Sequence, residues 1–227
     1  MTIKLYMHPV STASRPVWLY CADNKLPVAN QVVDLMTGEH IKDEYTAINP
    51  SQLVPTLEEE DGWRLTESAT ILKYLANRFD KPHYPTKDLR KRARIDEVMD
   101  WINTQFYRDY GYGLLYPQMF PAHKRPTDDQ QKGVIAWGRE RAEKWFKVLD
   151  THWLGKTPYL ASETITVADY FGACVVATGE VIRCDFKGLP NVTRWLGTMK
   201  KLPAWNQVHE VASGFAGSLK DQKFVTV

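Results

Sequence analysis

Apolar and polar positions follow two different patterns along this chain, and the pattern changes near residue 80. Before it, short stretches alternate with the two-residue period of strands, separated by stretches with the helical period of three to four residues. After it, every apolar stripe has the helical period. We therefore predict a mixed α/β domain over residues 1–80, a linker over 81–87 that contains Pro82 and Pro85, and an all-helical domain over 88–227.

The first domain has the predicted element order βαβ, α, ββα, which is typical of a thioredoxin-like fold. Strands are predicted at residues 3–7, 31–35, 56–58 and 63–65, and helices over about 14–24, after residue 38 and over 71–79. His8-Pro9 and Leu26-Pro27 end the first strand and the first helix, because proline cannot continue either element.

The second domain contains several amphipathic helices. Its apolar stripes are Ile95, Val98, Met99, Ile102 and Phe106, and then Trp137, Trp145, Leu149 and Trp153. Thr166 to Asp169 has the pattern of a capping box, with apolar Ile165 before it as a hydrophobic staple, and predicts the start of a buried helix. Shorter helices are predicted over 190–200 and 204–211. We interpret the capping box and Trp195 as structural.

Composition and charge exclude several classes of protein. The 227 residues carry 29 basic and 27 acidic side chains, a net charge of +2, which gives no reason to expect a nucleic-acid partner. Three cysteines without a CxxC spacing support neither a disulfide framework nor a metal site. The N-terminus lacks a basic region followed by a long apolar stretch, so we predict no membrane span and a cytoplasmic location.

Two short segments predict a site for a small anionic peptide. Pro55 has no N–H group and a fixed φ, so Val54 is expected to be extended, with its backbone N–H and C=O free for a guest. Thr66, Glu67 and Ser68 come directly before a helix. Unpaired N–H groups at a helix start favour a carboxylate.

A set of motifs in fixed order carries a family resemblance over nearly the whole chain. The motifs are HPVSTASRPV (8–17), GEHIKDEYTAINP (38–50), LVPTL (53–57), LTESATILKYL (65–75), RARIDEVMDW (92–101) and ITVADY (165–170). Together they resemble cytosolic glutathione transferases, most closely the theta class, with a phi-like N-terminal loop. The resemblance implies the glutathione transferase fold, a thioredoxin-like glutathione-binding domain followed by a helical bundle domain, and a homodimer.

The resemblance also implies where glutathione, the co-substrate, is bound. Ser11 matches the serine that activates the glutathione thiol, and His40 matches the histidine that reaches the glycyl carboxylate. Further glutathione-binding positions implied by the resemblance are Gln52, Leu53, Val54, the cis-proline position Pro55, Glu67 and Ser68. At Gln52 and Leu53 relatives often carry a basic or polar side chain, so the glycyl end is expected to be held less tightly.

Ser14 is the second choice as thiol partner, because several hydroxyl groups crowd this loop and Thr12 is also within reach. Ser14 has a competing structural role as a helix cap. We predict that Arg15 pairs with a carboxylate below the sheet.

An aromatic-rich segment in the second domain predicts the pocket for a small hydrophobic electrophile. Its members are Tyr107, Arg108, Leu115, Tyr116 and Met119, and Arg108 matches a position near the leaving anion in theta enzymes. Gly111 and Gly113 interrupt the segment and predict a bend beside the pocket, because glycine weakens a helix by about 1 kcal/mol. Aromatic residues at helical spacing are also common in cores, so some of these are expected to be structural.

These features lead to three functional hypotheses. The first is an enzyme that conjugates the glutathione thiolate to a small electrophile, with dehalogenation or peroxide reduction as variants. The second is a non-catalytic glutathione-binding or protein-interaction module of the same fold, which would need no Ser11. The third, a disulfide reductase of the omega or beta kind, is discounted because residues 7–16 contain no cysteine.

Overall fold

A computed structural model of the protein describes residues 2–227; residue 1, the first of the predicted domain 1–80, lies outside the described residues. The first part of the chain forms a small sheet with helices. Its strands are β1 (Ile3–Met7), β2 (Val28–Val32), β3 (Thr56–Glu58) and β4 (Arg64–Thr66). Its helices are α1 (Ser14–Asp23), α2 (Asp43–Thr46) and α3 (Ser68–Arg78), with a 3-10 turn at Glu39–Ile41 before α2. The predicted thioredoxin-like order is confirmed.

The sheet has the strand order β2-β1-β3-β4, with β1 and β2 parallel and the other pairs antiparallel. The second strand was predicted at residues 31–35, and this is wrong by three residues. Backbone pairing of Ile3 with Val28 and of Met7 with Val32 fixes the strand at Val28–Val32. This is an edge strand whose side chains are mostly exposed. Apolar alternation therefore does not mark its position.

The second part of the chain is built from helices. They are α4 (Leu89–Trp101), a π-helical continuation Ile102–Leu115, α5 (Tyr116–Met119), a 3-10 turn Pro121–His123, α6 (Asp128–Val148) with a π-helical continuation Leu149–Trp153, α7 (Val167–Ala177) with a 3-10 continuation Thr178–Ile182, α8 (Pro190–Met199) and α9 (Trp205–Ser218). One apolar core joins both parts: α7 packs against α1, α3 and α4.

The glycines of the aromatic segment have a role other than the predicted one. The helix continues through Gly111 and Gly113 without interruption. A Cβ atom at Gly111 would lie 2.5 Å from the ring of Tyr107, and one at Gly138 of α6 would lie 2.3 Å from the backbone of Gly113. Gly113 and Gly138 thus allow two helix backbones to touch, which brings the helices next to the cleft into close contact.

The capping box at the start of α7 is confirmed. The Oδ2 atom of Asp169 accepts hydrogen bonds from the Thr166 N–H at 2.8 Å and from the Thr166 hydroxyl at 3.0 Å. Its Oδ1 atom accepts from the Leu160 N–H and from the indole of Trp195, both at 2.9 Å. Four donors therefore satisfy a fully buried carboxyl group, which supports the structural interpretation of Asp169 and Trp195.

Candidate functional site

A cleft of about 500 Å³ lies between the sheet and the long helix that begins with α4. We call its two sides the sheet wall and the helical wall. The sheet wall consists of the lining residues 10–13, 35–36, 40, 49, 51–55 and 66–69. The helical wall consists of 103, 107, 108, 112, 116, 120, 122, 123 and 171.

Ser11 lies in the loop between β1 and α1, on the sheet wall. Its N–H donates to the carbonyl of His8 at 3.0 Å, and its carbonyl accepts from the N–H of Arg15 at 3.1 Å. Its Oγ atom accepts the N–H of Ser14 at 3.2 Å. Among residues 2–227 no acceptor takes the proton of this hydroxyl, so the Ser11 O–H can be donated to a guest in the cleft.

Ser14 is placed differently. Its side chain is fully buried and does not line the cleft. Its Oγ atom accepts the backbone N–H of His8 at 3.4 Å, which ties the end of β1 to the start of α1. This placement favours Ser11 over Ser14 as the hydroxyl that meets a guest.

The Val54–Pro55 peptide bond is cis, as the resemblance implied. Val54 makes no backbone hydrogen bond within residues 2–227, so its N–H and C=O are available to an extended guest. The loop before it is fixed from below. The carbonyl of Leu53 accepts the Tyr45 hydroxyl at 2.7 Å and the Asn49 side-chain amide at 2.8 Å.

The two positions that depart from the family pattern both line the cleft. The side-chain amide of Gln52 donates to the Thr46 hydroxyl at 3.1 Å, which leaves its carbonyl oxygen as an acceptor. Leu53 presents an exposed apolar side chain. Neither side chain supplies a cation for a carboxylate at this end of the cleft.

Glu67 and Ser68 lie at the start of α3. Glu67 has φ of 68°, a left-handed conformation that is strained for a residue with a side chain. The Ser68 hydroxyl donates to the carbonyl of Ala13 at 2.7 Å, which connects α3 to the loop that carries Ser11. The first N–H groups of α3 have no partner within the helix, and Ser68 and Ala69 line the cleft. This end of the cleft therefore offers N–H donors for a carboxylate and an acidic side chain for an amino group.

His40 also lies on the sheet wall, in the 3-10 turn Glu39–Ile41. Its Nδ1 atom is buried and has no hydrogen-bond partner among residues 2–227. An imidazole in this position can donate a hydrogen bond to a carboxylate.

The helical wall is mainly aromatic. Three of the residues predicted for the electrophile pocket line it: Tyr107, Arg108 and Tyr116. Leu115 and Met119 are buried in the apolar core and are not among the lining residues, because they project from other sides of the helix. Three further rings, not predicted from the sequence, line this wall: Tyr112, Phe120 and His123. Tyr112, Tyr116 and Phe120 are spaced by four residues, a pattern that indicates one helix face.

The hydroxyl groups of Tyr107 and Tyr116, on the helical wall, are in direct hydrogen-bond contact. Burial raises the pKa of both, well above the usual value for Tyr107 and to about 12 for Tyr116. Both tyrosines therefore stay protonated at neutral pH, and one of the two hydroxyls donates its proton to the other.

Arg108 is held by a buried acid. Its guanidinium donates to both carboxylate oxygens of Asp109, at 2.7 Å and 3.2 Å. Asp109 also accepts from Arg141 at 3.2 Å and from the indole of Trp145 at 2.7 Å. Burial alone would raise the pKa of Asp109, but these donors outweigh it and lower the pKa. The carboxylate stays ionised, and Arg108 keeps a fixed orientation at the edge of the cleft.

The predicted carboxylate partner of Arg15 is not found, and this prediction is wrong. The Arg15 side chain turns from α1 toward the 3-10 segment Thr178–Ile182, where Thr178 faces it instead of an acid. Its Nη2 atom donates to the Thr178 hydroxyl at 2.8 Å. The ion pairs among residues 2–227 do not include Arg15, and its buried Nε atom has no partner there.

Residues 2–227 contain no cluster of three or more side chains that could hold a metal ion. Within the same residues no helix is both long enough and apolar enough to span a bilayer.

Comparison with known proteins places this geometry in a family. A model of the N-terminal domain of glutathione S-transferases matches residues 5–83, and a model of the C-terminal domain of the same family matches residues 115–203. Glutathione S-transferase theta-1 of Bos taurus is 30% identical over 217 residues, which are 94% of this chain and 85% of that protein.

Solved structures give the same result. Human glutathione transferase theta-2, in complex with glutathione and an unknown ligand, superposes with a TM-score of 0.85 at 25% identity, over 99% of this chain and 93% of that one. A delta-class glutathione transferase of Nilaparvata lugens superposes with a TM-score of 0.82 at 29% identity, over 96% and 98%. The predicted resemblance and fold are confirmed: this chain is a glutathione S-transferase with theta-class relatives.

Proposed function

We propose that the cleft binds glutathione in an extended conformation along the sheet wall and that the Ser11 hydroxyl stabilises its thiolate. The γ-glutamyl end would lie at Glu67 and Ser68, the cysteinyl backbone at Val54, and the glycyl carboxylate near His40. The thiolate then attacks a small hydrophobic electrophile held by Tyr107, Arg108 and Tyr116. The complex of the human theta-2 relative with glutathione supports glutathione as the ligand.

The orientation of the Ser11 hydroxyl is the observation that carries the proposal. Because its oxygen accepts the Ser14 N–H, its proton is left for a guest. A free thiol has a pKa near 8.5, so only a few per cent is ionised at pH 7. A hydrogen bond to a charged group contributes about 1.5–3 kcal/mol. Since one pKa unit is about 1.36 kcal/mol, this bond lowers the thiol pKa by about 1–2 units, which brings it close to neutral pH and ionises a large fraction of the thiol there.

Replacement of Ser11 tests the proposal. We expect Ser11→Ala to lower the conjugation rate by about 10- to 150-fold, the equivalent of one charge-assisted hydrogen bond, while calorimetry shows nearly unchanged glutathione affinity. Alkyl halides, epoxides and hydroperoxides are the electrophiles to screen. Ser14→Ala is the matched control and should retain the rate, with some loss of stability. Full activity in Ser11→Ala, or a wild-type protein that binds no glutathione at millimolar concentration, would refute the proposal.

The same observation separates an enzyme from the second hypothesis, a non-catalytic glutathione-binding module. A binding module needs the backbone groups at Val54 and the start of α3 but not a hydroxyl directed at the thiol. The available Ser11 proton favours conjugation.

A homodimer and a cytoplasmic location remain proposals that rest on the family resemblance. The chain has a mass of 26.1 kDa, so light scattering should report a species of about twice that mass. A species with the mass of one chain would contradict the dimer.

A further inference from the structure

Arg15 is a buried cation without a buried anion beside it. Its side chain is 2% exposed, and its contact with Thr178 is a hydrogen bond to a neutral hydroxyl. Burial of an unpaired charge costs several kcal/mol, and the start of a helix, where Arg15 lies, further disfavours a cation. The guanidinium nevertheless stays charged, because arginine does not lose its proton in proteins. The positive charge can therefore interact with a negative group of a bound ligand.

Two hydroxyl groups connect this charge with the cleft. The Thr178 oxygen accepts from Arg15 and lies 3.2 Å from the oxygen of Thr12 and 2.9 Å from the carbonyl of Cys174, so its one proton is shared between these two acceptors. Thr12 follows Ser11 directly in the chain and lines the cleft. The backbone N–H of Arg15 also donates to the carbonyl of Ser11 at 3.1 Å. The guanidinium thus lies beneath the loop that carries the proposed thiol partner.

The groups around Arg15 do not neutralise its charge near neutral pH. Cys174 of α7 and Tyr116 of α5 are protonated, because burial raises the pKa of each to about 12, and burial also raises the pKa of Tyr107 in the π-helical segment. His209 of α9 is neutral, because burial lowers its pKa to about 3. Two acids, Glu180 and Glu210, line the same surface pocket as Arg15; both are exposed, and Glu180 is paired with Lys200.

We propose that Arg15 is a positioning residue whose buried positive charge, relayed to the cleft by the hydroxyls of Thr178 and Thr12, favours the ionised form of the bound thiol. This inference rests on the proposed function, since the thiolate is that of glutathione. The thiolate supplies the negative charge that the protein alone lacks at this point. A purely structural role, in which Arg15 only connects α1 with the segment Thr178–Ile182, is the competing explanation.

The thiolate of bound glutathione absorbs in the ultraviolet and the thiol does not, so a pH titration of the wild-type complex measures the ionisation directly. In Arg15→Met, which keeps the volume and removes the charge, the midpoint should rise by about one pH unit, a tenfold loss of thiolate below the midpoint. In Arg15→Lys, which keeps the positive charge, the midpoint should stay close to that of the wild-type complex. Lys201→Met, which removes an exposed cation that forms no ion pair within residues 2–227, is the matched control and should leave the midpoint unchanged.

The possible outcomes are distinct. A folded Arg15→Met variant with the wild-type midpoint overturns the inference and leaves the proposed function intact. If the wild-type complex shows no thiolate absorbance at a pH below the midpoint of free glutathione, both the inference and the proposed function are overturned. If Arg15→Met does not fold, Thr178→Val decides: it keeps the charge but breaks the relay, and we expect a smaller upward shift. An unchanged midpoint in Thr178→Val then counts against the inference.

Discussion

The sheet wall of the cleft presents backbone groups to its guest, whereas the helical wall presents side-chain rings. On the sheet wall, Tyr45 and Asn49 hold the carbonyl of Leu53 from behind, so that the neighbouring Val54 faces the cleft with its N–H and C=O free. On the helical wall, Tyr107, Tyr116 and other rings face the cleft themselves. Recognition on the first side depends on the path of the chain, and recognition on the second depends on which side chains are present.

This difference explains why one guest is easier to name than the other. Backbone donors and acceptors have fixed spacing and fit a peptide with matching groups. Aromatic rings accept many apolar shapes, because dispersion and ring packing are not directional in the way that hydrogen bonds are. The sheet wall therefore supports the proposal of one specific ligand, glutathione, while the helical wall supports only a proposal of a class of electrophiles.

The largest effect is expected from a change that deforms the helical wall alone. In Gly138→Ala the new Cβ atom would lie 2.3 Å from the backbone of Gly113, so the two helices must separate. We expect a loss of about 3 kcal/mol in the free energy of unfolding, from chemical denaturation, and a strong rise in the KM for the electrophile. The KM for glutathione should change little.

Gly133→Ala is the matched control for this variant, since it changes the same helix at a position with open space around the new atom. It should be neutral or add about 0.5–1 kcal/mol of stability, because alanine favours a helix over glycine. An equal rise of both KM values in Gly138→Ala would show that the two walls are not independent.

Acid should weaken the helical domain through His209. Its ring stacks on Trp205 with centroids 3.9 Å apart, its Nδ1 atom donates to the Trp205 carbonyl at 2.9 Å, and burial lowers its pKa to about 3. In the unfolded chain a histidine has a pKa of about 6.5, so the unfolded state binds the proton first as the pH falls. Stability is therefore lost between about pH 6.5 and pH 3, by about 1.4 kcal/mol per unit, and regained as the pH rises.

The pH dependence of thermal unfolding in wild type and in His209→Phe measures this contribution. Phenylalanine keeps the stacking and cannot titrate, so its stability should fall less steeply between about pH 6 and pH 4. Burial also lowers the pKa values of His8, His83 and His123, and these act in both proteins, so the difference isolates His209. Parallel curves for the two proteins would exclude His209 as the source.

The smallest effects distinguish the two walls most directly. Tyr45→Phe removes a hydrogen bond behind the sheet wall and should raise the KM for glutathione by about 2- to 10-fold, the equivalent of roughly 0.5–1.5 kcal/mol. Tyr116→Phe removes a hydroxyl from the helical wall and should change turnover of the electrophile by a similar factor, with the KM for glutathione unchanged. Steady-state kinetics with both substrates varied tests this crossed pattern. The crossed pattern is contradicted if each variant changes the kinetic constants for both substrates equally.

The sequence predicted the sheet wall better than the helical wall, for a physical reason. Pro55, Glu67 and Ser68 carry local signals, because proline and a helix start determine the nearby backbone wherever they occur. The position of β2 was missed because an edge strand is fixed by pairing with β1 and not by its own apolar pattern.

The helical wall depends on packing between residues far apart in the chain. Leu115 and Met119 lie in the same aromatic segment as Tyr116, and a small rotation of a helix decides which of them reaches the cleft. Gly113 and Gly138 appear in the sequence as helix-weakening residues, and only the structure shows that they touch. Arg15 was expected beside an acid on general grounds of charge pairing. Its actual partner, Thr178, is 163 residues away in the chain.

The hydrogen bond from the Ser68 hydroxyl to the Ala13 carbonyl spans 2.7 Å and joins the start of α3 to the loop that carries Ser11. The two places that would receive the amino-acid head of the tripeptide and its sulfur are therefore separated by a set interval. If glutathione binds as proposed, its γ-linked glutamate matches that interval, whereas an α-linked isomer is two bonds shorter between these groups. We therefore expect the protein to discriminate among cysteine-containing peptides by the length of their linkage.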